Sequence, residues 1–276
     1  EGGVGITSKD DYVKATIIID GKGKFADLPV TTTRIRGRGN STWDYDKKPY
    51  RLKLDETVSL FGLKPEKDWV LLANYLDPTL MLNATAMKIG QQLALPYTNT
   101  IIPVNLTLNG QYAGSYNFTE QVEAGDNRVN VGDDGWLLEL DSYYDETYKF
   151  RSAVNDLPIN IKHPDLTADA EMDPIRSAFT TMENLLGSDG APDARYKEHI
   201  DAESVAKFMI VNFLTGNGEM NHPKSTYMYK TATGKFMMGP IWDFDWAYGY
   251  DPPGSHFQNA TWNPFWTPGS AGSRFF

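Results

Sequence analysis

The sequence predicts an α+β chain of two lobes, sheet-rich over about residues 1–125 and helix-rich over about residues 126–276. Three observations predict it. Short β-branched runs in the first half alternate apolar and polar residues, the period of a half-buried strand. The pair Asn109-Gly110 sits between two such runs and signals a hairpin. In the second half the apolar spacing lengthens to three and four, as at Ile175, Phe179, Met182 and Leu186, which marks one face of a helix. Two lobes of these kinds predict a ligand cleft between them.

The elements follow in order. Tyr12 to Asp20 is apolar and β-branched, a strand, and Gly21-Lys22-Gly23 supplies a turn. Thr31 to Arg38 places Arg34, Arg36 and Arg38 at alternate positions, on one face of an extended chain. Tyr50 to Asp55 sets Tyr50, Leu52 and Leu54 against Arg51 and Lys53, and Asp68 to Ala73 reads as a buried strand. Asp77-Pro78 supplies an N-cap and a first-turn proline, predicting a helix from there to about Leu93. Pro103 to Thr119 is the hairpin, and Trp136 to Leu140 and Leu157 to Ile161 are further strands. A helix is expected over Ala168 to Leu186, a loop over Gly187 to Pro192, and a second helix after the cap Asp201. Thr226 to Tyr229 and Lys235 to Met238 form another hairpin, directly before Trp242 to Trp246.

Composition narrows the function. Lysine and arginine total 26 against 36 acids, a formal charge of −10 that opposes general nucleic-acid binding. The chain has no cysteine, so disulfides, thiolate metal sites and cysteine nucleophiles are excluded. No apolar run is long enough to span a bilayer. No HxxxH, HExxH or GxSxG pattern occurs among residues such as His163, His199, His222 and His256, so neither a zinc site nor a nucleophile elbow is indicated. The start, Glu1-Gly2-Gly3-Val4-Gly5, reads as a processed or cut end.

Four tracts carry possible chemistry. Asp243 and Asp245 stand at i and i+2 among Trp242, Phe244, Trp246 and Tyr248. In extended backbone both carboxylates point one way and suit a hard cation; the plainer reading is a surface strand of alternating charge. Arg36-Gly37-Arg38-Gly39-Asn40-Ser41-Thr42 pairs arginines with glycines that can turn backbone N–H groups toward an anion. Its plainer reading is a basic turn paired with the chain's own acids. Lys53 is either a point charge for a phosphate or a solvent-facing lysine on an edge strand. In the polar stretch Asn217 to Ser225, Glu219 can accept a proton and Asn217 or Asn221 can offer a metal-ligand oxygen. The alternative there is an ordinary loop with a helix C-cap at Asn217 or Gly218. Acids amid Trp and Tyr also fit a carbohydrate-active protein.

Taken together, Arg36 to Trp43, Lys47 to Asp55, Asp68 to Asn74, Leu108 to Glu120, Ser225 to Lys230 and Gly239 to Gly249 resemble the CotH family of spore-coat-protein-H-like atypical protein kinases. The resemblance implies a single two-lobed kinase-like domain that binds ATP with Mg²⁺ or Mn²⁺ and transfers the γ-phosphoryl group to serine on a protein substrate. It implies that Asp243 plays the role of the kinase metal-binding Asp; Asp245 and Asn221 join it as candidate ligands on their own residue chemistry. It makes Lys53 the phosphate-pairing lysine, puts Arg36 and Arg38 near the phosphates, and carries Glu120 to the cleft; Asn40 and Ser41 of the same turn are further candidates for nucleotide contact. Glu219 falls where the family often has a catalytic-loop Asp, so the carboxylate is kept but moved by one methylene. A non-catalytic surface or binding module on the same fold is the alternative. The resemblance further implies a bacterial, exported or cell-surface setting, and more helix beyond Phe276, so that the chain is expected to be truncated there.

Overall fold

A computed structural model describes residues 5–187, 192–221, 223–250, 256–257 and 275–276. Of the features read from sequence, residues 1–4, the loop positions 188–191, His222 and residues 273–274 lie outside them. The chain forms two compact units, Glu1–Ala84 with Asn99–Gln121 and Thr85–Thr98 with Val122–Phe276. Among the described residues no helix is long and apolar enough to cross a membrane.

The first unit is built on a six-stranded antiparallel sheet, ordered β1-β2-β3-β4-β6-β5. The strands are β1 (Val13–Ile19), β2 (Leu28–Gly37), β3 (Tyr50–Val58), β4 (Glu66–Leu72), β5 (Ile102–Leu108) and β6 (Gln111–Glu120). Alternation decides its faces. Tyr50, Leu52 and Leu54 of β3 are buried with Ile35, Trp69, Leu71, Tyr116 and Phe118 in one apolar cluster. Residues between them in sequence therefore face the other way. The β5–β6 hairpin turns through Asn109 and Gly110, both at positive φ (50° and 80°), as the Asn-Gly pair requires.

One helix begins later than the sequence suggests. Helix α1 spans Leu82–Gln92, not a run from Pro78. Asp77 caps a turn instead: its carboxylate accepts from the Thr79 N–H and hydroxyl at 2.8 and 2.6 Å and from the Leu82 N–H at 2.8 Å. Leu80 at φ 60° keeps the intervening chain out of the helix.

The second unit has a five-stranded antiparallel sheet, ordered β11-β10-β7-β9-β8. Its strands are β7 (Trp136–Leu140), β8 (Lys149–Arg151), β9 (Pro158–His163), β10 (Thr226–Lys230) and β11 (Met237–Met238). The short β8 carries too little periodicity to be read from sequence. Helix α2 (Asp173–Leu186) packs Phe179 against Phe150 and Phe236, with ring centroids 6.0 and 5.7 Å away. It starts at Asp173 because Pro174 has no N–H to extend a helix from upstream, and residues Asp169–Met172 form a separate 3-10 turn. After the single-turn α3 (Tyr196–His199), α4 (Ala202–Thr215) opens on Asp201, whose side chain accepts from the Ser204 N–H at 2.7 Å. It closes on Gly216 at φ 59°, one residue before the expected cap.

Glu183 of α2 is fully buried and accepts from the Ser152 hydroxyl, the Val154 and Asn155 N–H groups and the Asn155 side-chain amide, at 2.7–3.3 Å. It staples the loop between β8 and β9. Glu183→Ala leaves those donors buried without an acceptor, and the expected cost is about 3 kcal/mol. Equilibrium urea unfolding measures it; a loss under 1 kcal/mol means that the staple is not a determinant of stability.

Candidate functional site

In the first unit, register brings four cations to one sheet face. Arg34 lies opposite Lys53 and Arg36 opposite Arg51, and Lys53 lies opposite Asp68 on β4. All sit on the side away from Leu52 and Trp69. Asp68 is buried between two of them: Arg51 Nε and Nη2 reach its Oδ1 at 2.8 and 2.7 Å, and Lys53 Nζ lies 3.5 Å from its Oδ2. The acid thus fixes a half-exposed lysine that would otherwise sample many rotamers.

The expected anion loop is used differently. Arg36 donates to the Lys9 and Gly37 carbonyls and sits over the Tyr12 ring, 5.1 Å from its centroid. Its guanidinium ties β2 to the preceding segment. Arg38 lies one residue past β2, its N–H bonded to the Pro49 carbonyl at 3.2 Å. The Asn40 side-chain oxygen accepts from Lys9 Nζ at 2.9 Å, and Ser41 opens a 3-10 turn at the surface. Gly37 is required by packing rather than by an anion, since a Cβ there would fall 2.3 Å from the Trp43 ring.

Glu120 does not join this face. It pairs with Trp69 and so falls on the opposite side of the sheet from Lys53. Its carboxylate accepts from the Thr100 N–H at 2.9 Å and the Thr119 hydroxyl at 3.1 Å.

The second unit gathers acids. A 3-10 turn over Gly218–Asn221, directly after α4, buries Glu219, Met220 and Asn221. Asn217 holds that turn in place. Its side-chain amide donates to Asn212 Oδ1 at 3.0 Å and to the Asp243 carbonyl at 3.4 Å, and its oxygen accepts from the Glu219 N–H at 3.2 Å. Asn217 is therefore engaged, whereas Asn221 Oδ1 and Glu219 Oε2 are buried without a hydrogen-bond partner among the described residues. Buried oxygens of that kind are costly unless a cation or proton meets them.

The Asp243 tract is not the extended strand that its alternation suggests. Asp243 has φ 61°, a conformation that Asp tolerates better than most residues, and Asp245 begins a turn. The shared direction of the two carboxylates therefore cannot rest on strand geometry. Asp243 Oδ2 instead accepts from the Ser225 hydroxyl at 3.4 Å. Burial, followed by the charge of Asp243, pushes the Glu219 carboxyl up to about 9. Asp141 and Asp245 add smaller contributions of the same sign, and Lys224 opposes them.

The family described as CotH kinase protein matches residues 35–271, a span that contains the acidic cluster and all of the cationic one but Arg34. The chain belongs to the CotH kinase family. No curated protein matches it.

Three participants in this CotH chain escaped the sequence. Asp68 looks there like one more acid at the start of a strand, and Arg51 like one more solvent-facing cation. Asp141, at the end of β7, is buried and accepts from the Tyr143 and Ser225 N–H groups at 2.8 and 3.0 Å. Burial raises its carboxyl above the ordinary range. It joins segments 84 positions apart, a contact that no local pattern reports.

The second cluster presents oxygen donors of the kind that a divalent cation takes. Among the described residues no three acidic or histidine side chains converge as a metal cage. Mg²⁺ does not ask for one: it uses one or two carboxylates, waters and substrate phosphates. Asp243, the unpartnered oxygen of Asn221 and that of Glu219 have the hard-oxygen chemistry it takes.

Proposed function

We propose that this CotH chain is a phosphotransferase of two kinase-like lobes, moving the γ-phosphoryl group of a nucleotide such as ATP to a serine hydroxyl on a protein with Mg²⁺ or Mn²⁺. Family membership supports kinase-like phosphotransfer. The observation that carries the finer reading is the pair of oxygens on Glu219 and Asn221, buried and unpartnered among the described residues, in a turn whose Glu219 carboxyl feels the charge of Asp243.

The chain's own residues would divide the work. Asp243 and Asn221 hold the cation, with Asp245 nearby. When bound, that ion supplies positive charge to phosphate oxygens and offsets the clustered carboxylates. Lys53, held by Asp68, pairs with phosphate as a point charge. Arg51 and Arg36 add to the positive field of that face, and we assign Glu120 a local structural role. Glu219, once ionised, accepts the serine proton or orients the hydroxyl.

The direct test is transfer of labelled γ-phosphate to a serine-containing acceptor. The expected product is acid-stable phosphoserine, formed only with a divalent cation. Nucleotide binding without any transfer to serine would move the reading to a non-catalytic module.

A further inference from the structure

We propose that Lys224 is a further catalytic residue, whose ammonium contacts the transferred phosphoryl group; this rests on the phosphotransfer reading above. Its setting is unusual for a lysine. Nζ lies 5.0 Å from the Tyr143 ring centroid and 4.8 Å from that of Trp246, so the ammonium is clamped between two aromatic faces. Among the described residues it makes no ion pair or side-chain hydrogen bond, although its charge reaches the Glu219 carboxyl. Three N–H donors are thus held in place and left for another acceptor.

The clamp belongs to the acidic cluster by construction. Each acid-bearing segment supplies one member of it. Tyr143 follows Asp141 by two residues, and the Tyr143 N–H bonds the Asp141 carboxylate at 2.8 Å. Trp246 follows Asp245 directly. Lys224 closes the loop that begins at Glu219, its own N–H bonded to the Glu219 carbonyl at 3.2 Å. A cation fixed beside the proton acceptor, but not neutralised by it, suits an incoming anion rather than a structural ion pair.

The step balances without a further reactant. The serine oxygen forms a bond to the γ-phosphorus as the bond to the leaving oxygen breaks. The nucleoside diphosphate leaves with that electron pair, and the serine proton passes to the Glu219 carboxylate. Lys224 keeps its proton and donates to a non-bridging oxygen, where charge is spread during transfer.

The test compares wild type, Lys224→Met, Lys224→Arg and Trp246→Leu by γ-phosphate transfer and by calorimetric titration with inorganic tripolyphosphate and Mg²⁺. Lys224→Met is expected to lower kcat by about 10²–10³-fold, the usual loss for one preorganised donor. It should also weaken tripolyphosphate binding about tenfold, a readout independent of transfer. Lys224→Arg keeps a cation between the rings and should retain roughly a tenth or more of the wild-type kcat. Trp246→Leu loosens the clamp and should cost roughly tenfold in kcat, which keeps the idea testable if the Met variant folds poorly. A wild type that transfers phosphate, with Met and Leu variants that match it in kcat and tripolyphosphate affinity, overturns the role of Lys224 and leaves the kinase reading intact. A wild type that binds tripolyphosphate through Lys224 but transfers nothing supports the contact and overturns the kinase reading. A wild type that binds no tripolyphosphate overturns the contact.

Discussion

Asp243→Asn is expected to abolish the effect of divalent cation on nucleotide binding and to lower phosphoryl transfer by about 10³-fold or more. Asn keeps the size of the side chain and an oxygen for the Ser225 hydroxyl, so the left-handed backbone at φ 61° and the 3.4 Å contact to Ser225 can persist. What is lost is the charge that a hard cation needs. Asp243 is also the largest charge acting on Glu219. Removing it should therefore raise the stability of the metal-free protein while the activity falls. Titration with Mg²⁺ at fixed nucleotide, followed by melting temperature, measures the first effect, and labelled phosphate transfer the second. An Asn variant with a wild-type cation response would remove Asp243 from the metal site.

Glu219→Gln should separate chemistry from binding. The variant keeps the shape of the side chain but cannot accept a proton, and a lost general base typically costs ~10²–10⁴ in rate. The effect falls toward the lower end if the hydroxyl is mainly oriented rather than deprotonated. Nucleotide-induced stabilisation should remain close to wild type. The carboxyl is buried, with one oxygen unpartnered among the described residues and like charges acting on it. The neutral amide is therefore expected to stabilise the metal-free protein by about 1–2 kcal/mol, read as a melting temperature several degrees higher. A Gln variant as active as wild type takes Glu219 out of the mechanism.

Much of the fold was legible because strand alternation and turn chemistry are local. Tyr50, Leu52 and Leu54 announced the buried face of β3, Asn109-Gly110 the hairpin, and Asp201 the start of α4. Local signals also misled. Asp77-Pro78 has the composition of a helix start, yet the Asp77 carboxylate is spent on a turn, and α1 begins at Leu82. The alternation of Asp243 and Asp245 resembles a strand, but the positive φ of Asp243 is set by its surroundings.

The candidate site divides in the same way. Glu219 and Asn221 stood out by residue type and by their place between a helix and a hairpin, and Asp243 by its spacing from Asp245 among aromatic residues. The partners that hold them did not. Asp141 reaches Ser225 across 84 positions, and Asp68 reaches Arg51 and Lys53 only through strand register. Arg36 shows the converse: its sequence context suggests an anion contact, while its guanidinium is drawn to two backbone carbonyls and the Tyr12 ring. Residue type shows what a side chain can do, and long-range packing decides what it does.

The central claim is that Asp243 and Asn221 hold the cation of a cation-dependent nucleotide site, with Glu219 beside it as the proton acceptor. The most direct measurement is the melting temperature of the wild-type chain with ATP alone, with Mg²⁺ or Mn²⁺ alone, and with both. The account predicts a rise with both that exceeds the sum of the separate effects, as ligand linkage requires when each promotes binding of the other, and predicts its loss in Asp243→Asn. A wild type that melts at one temperature under all these conditions contradicts the account.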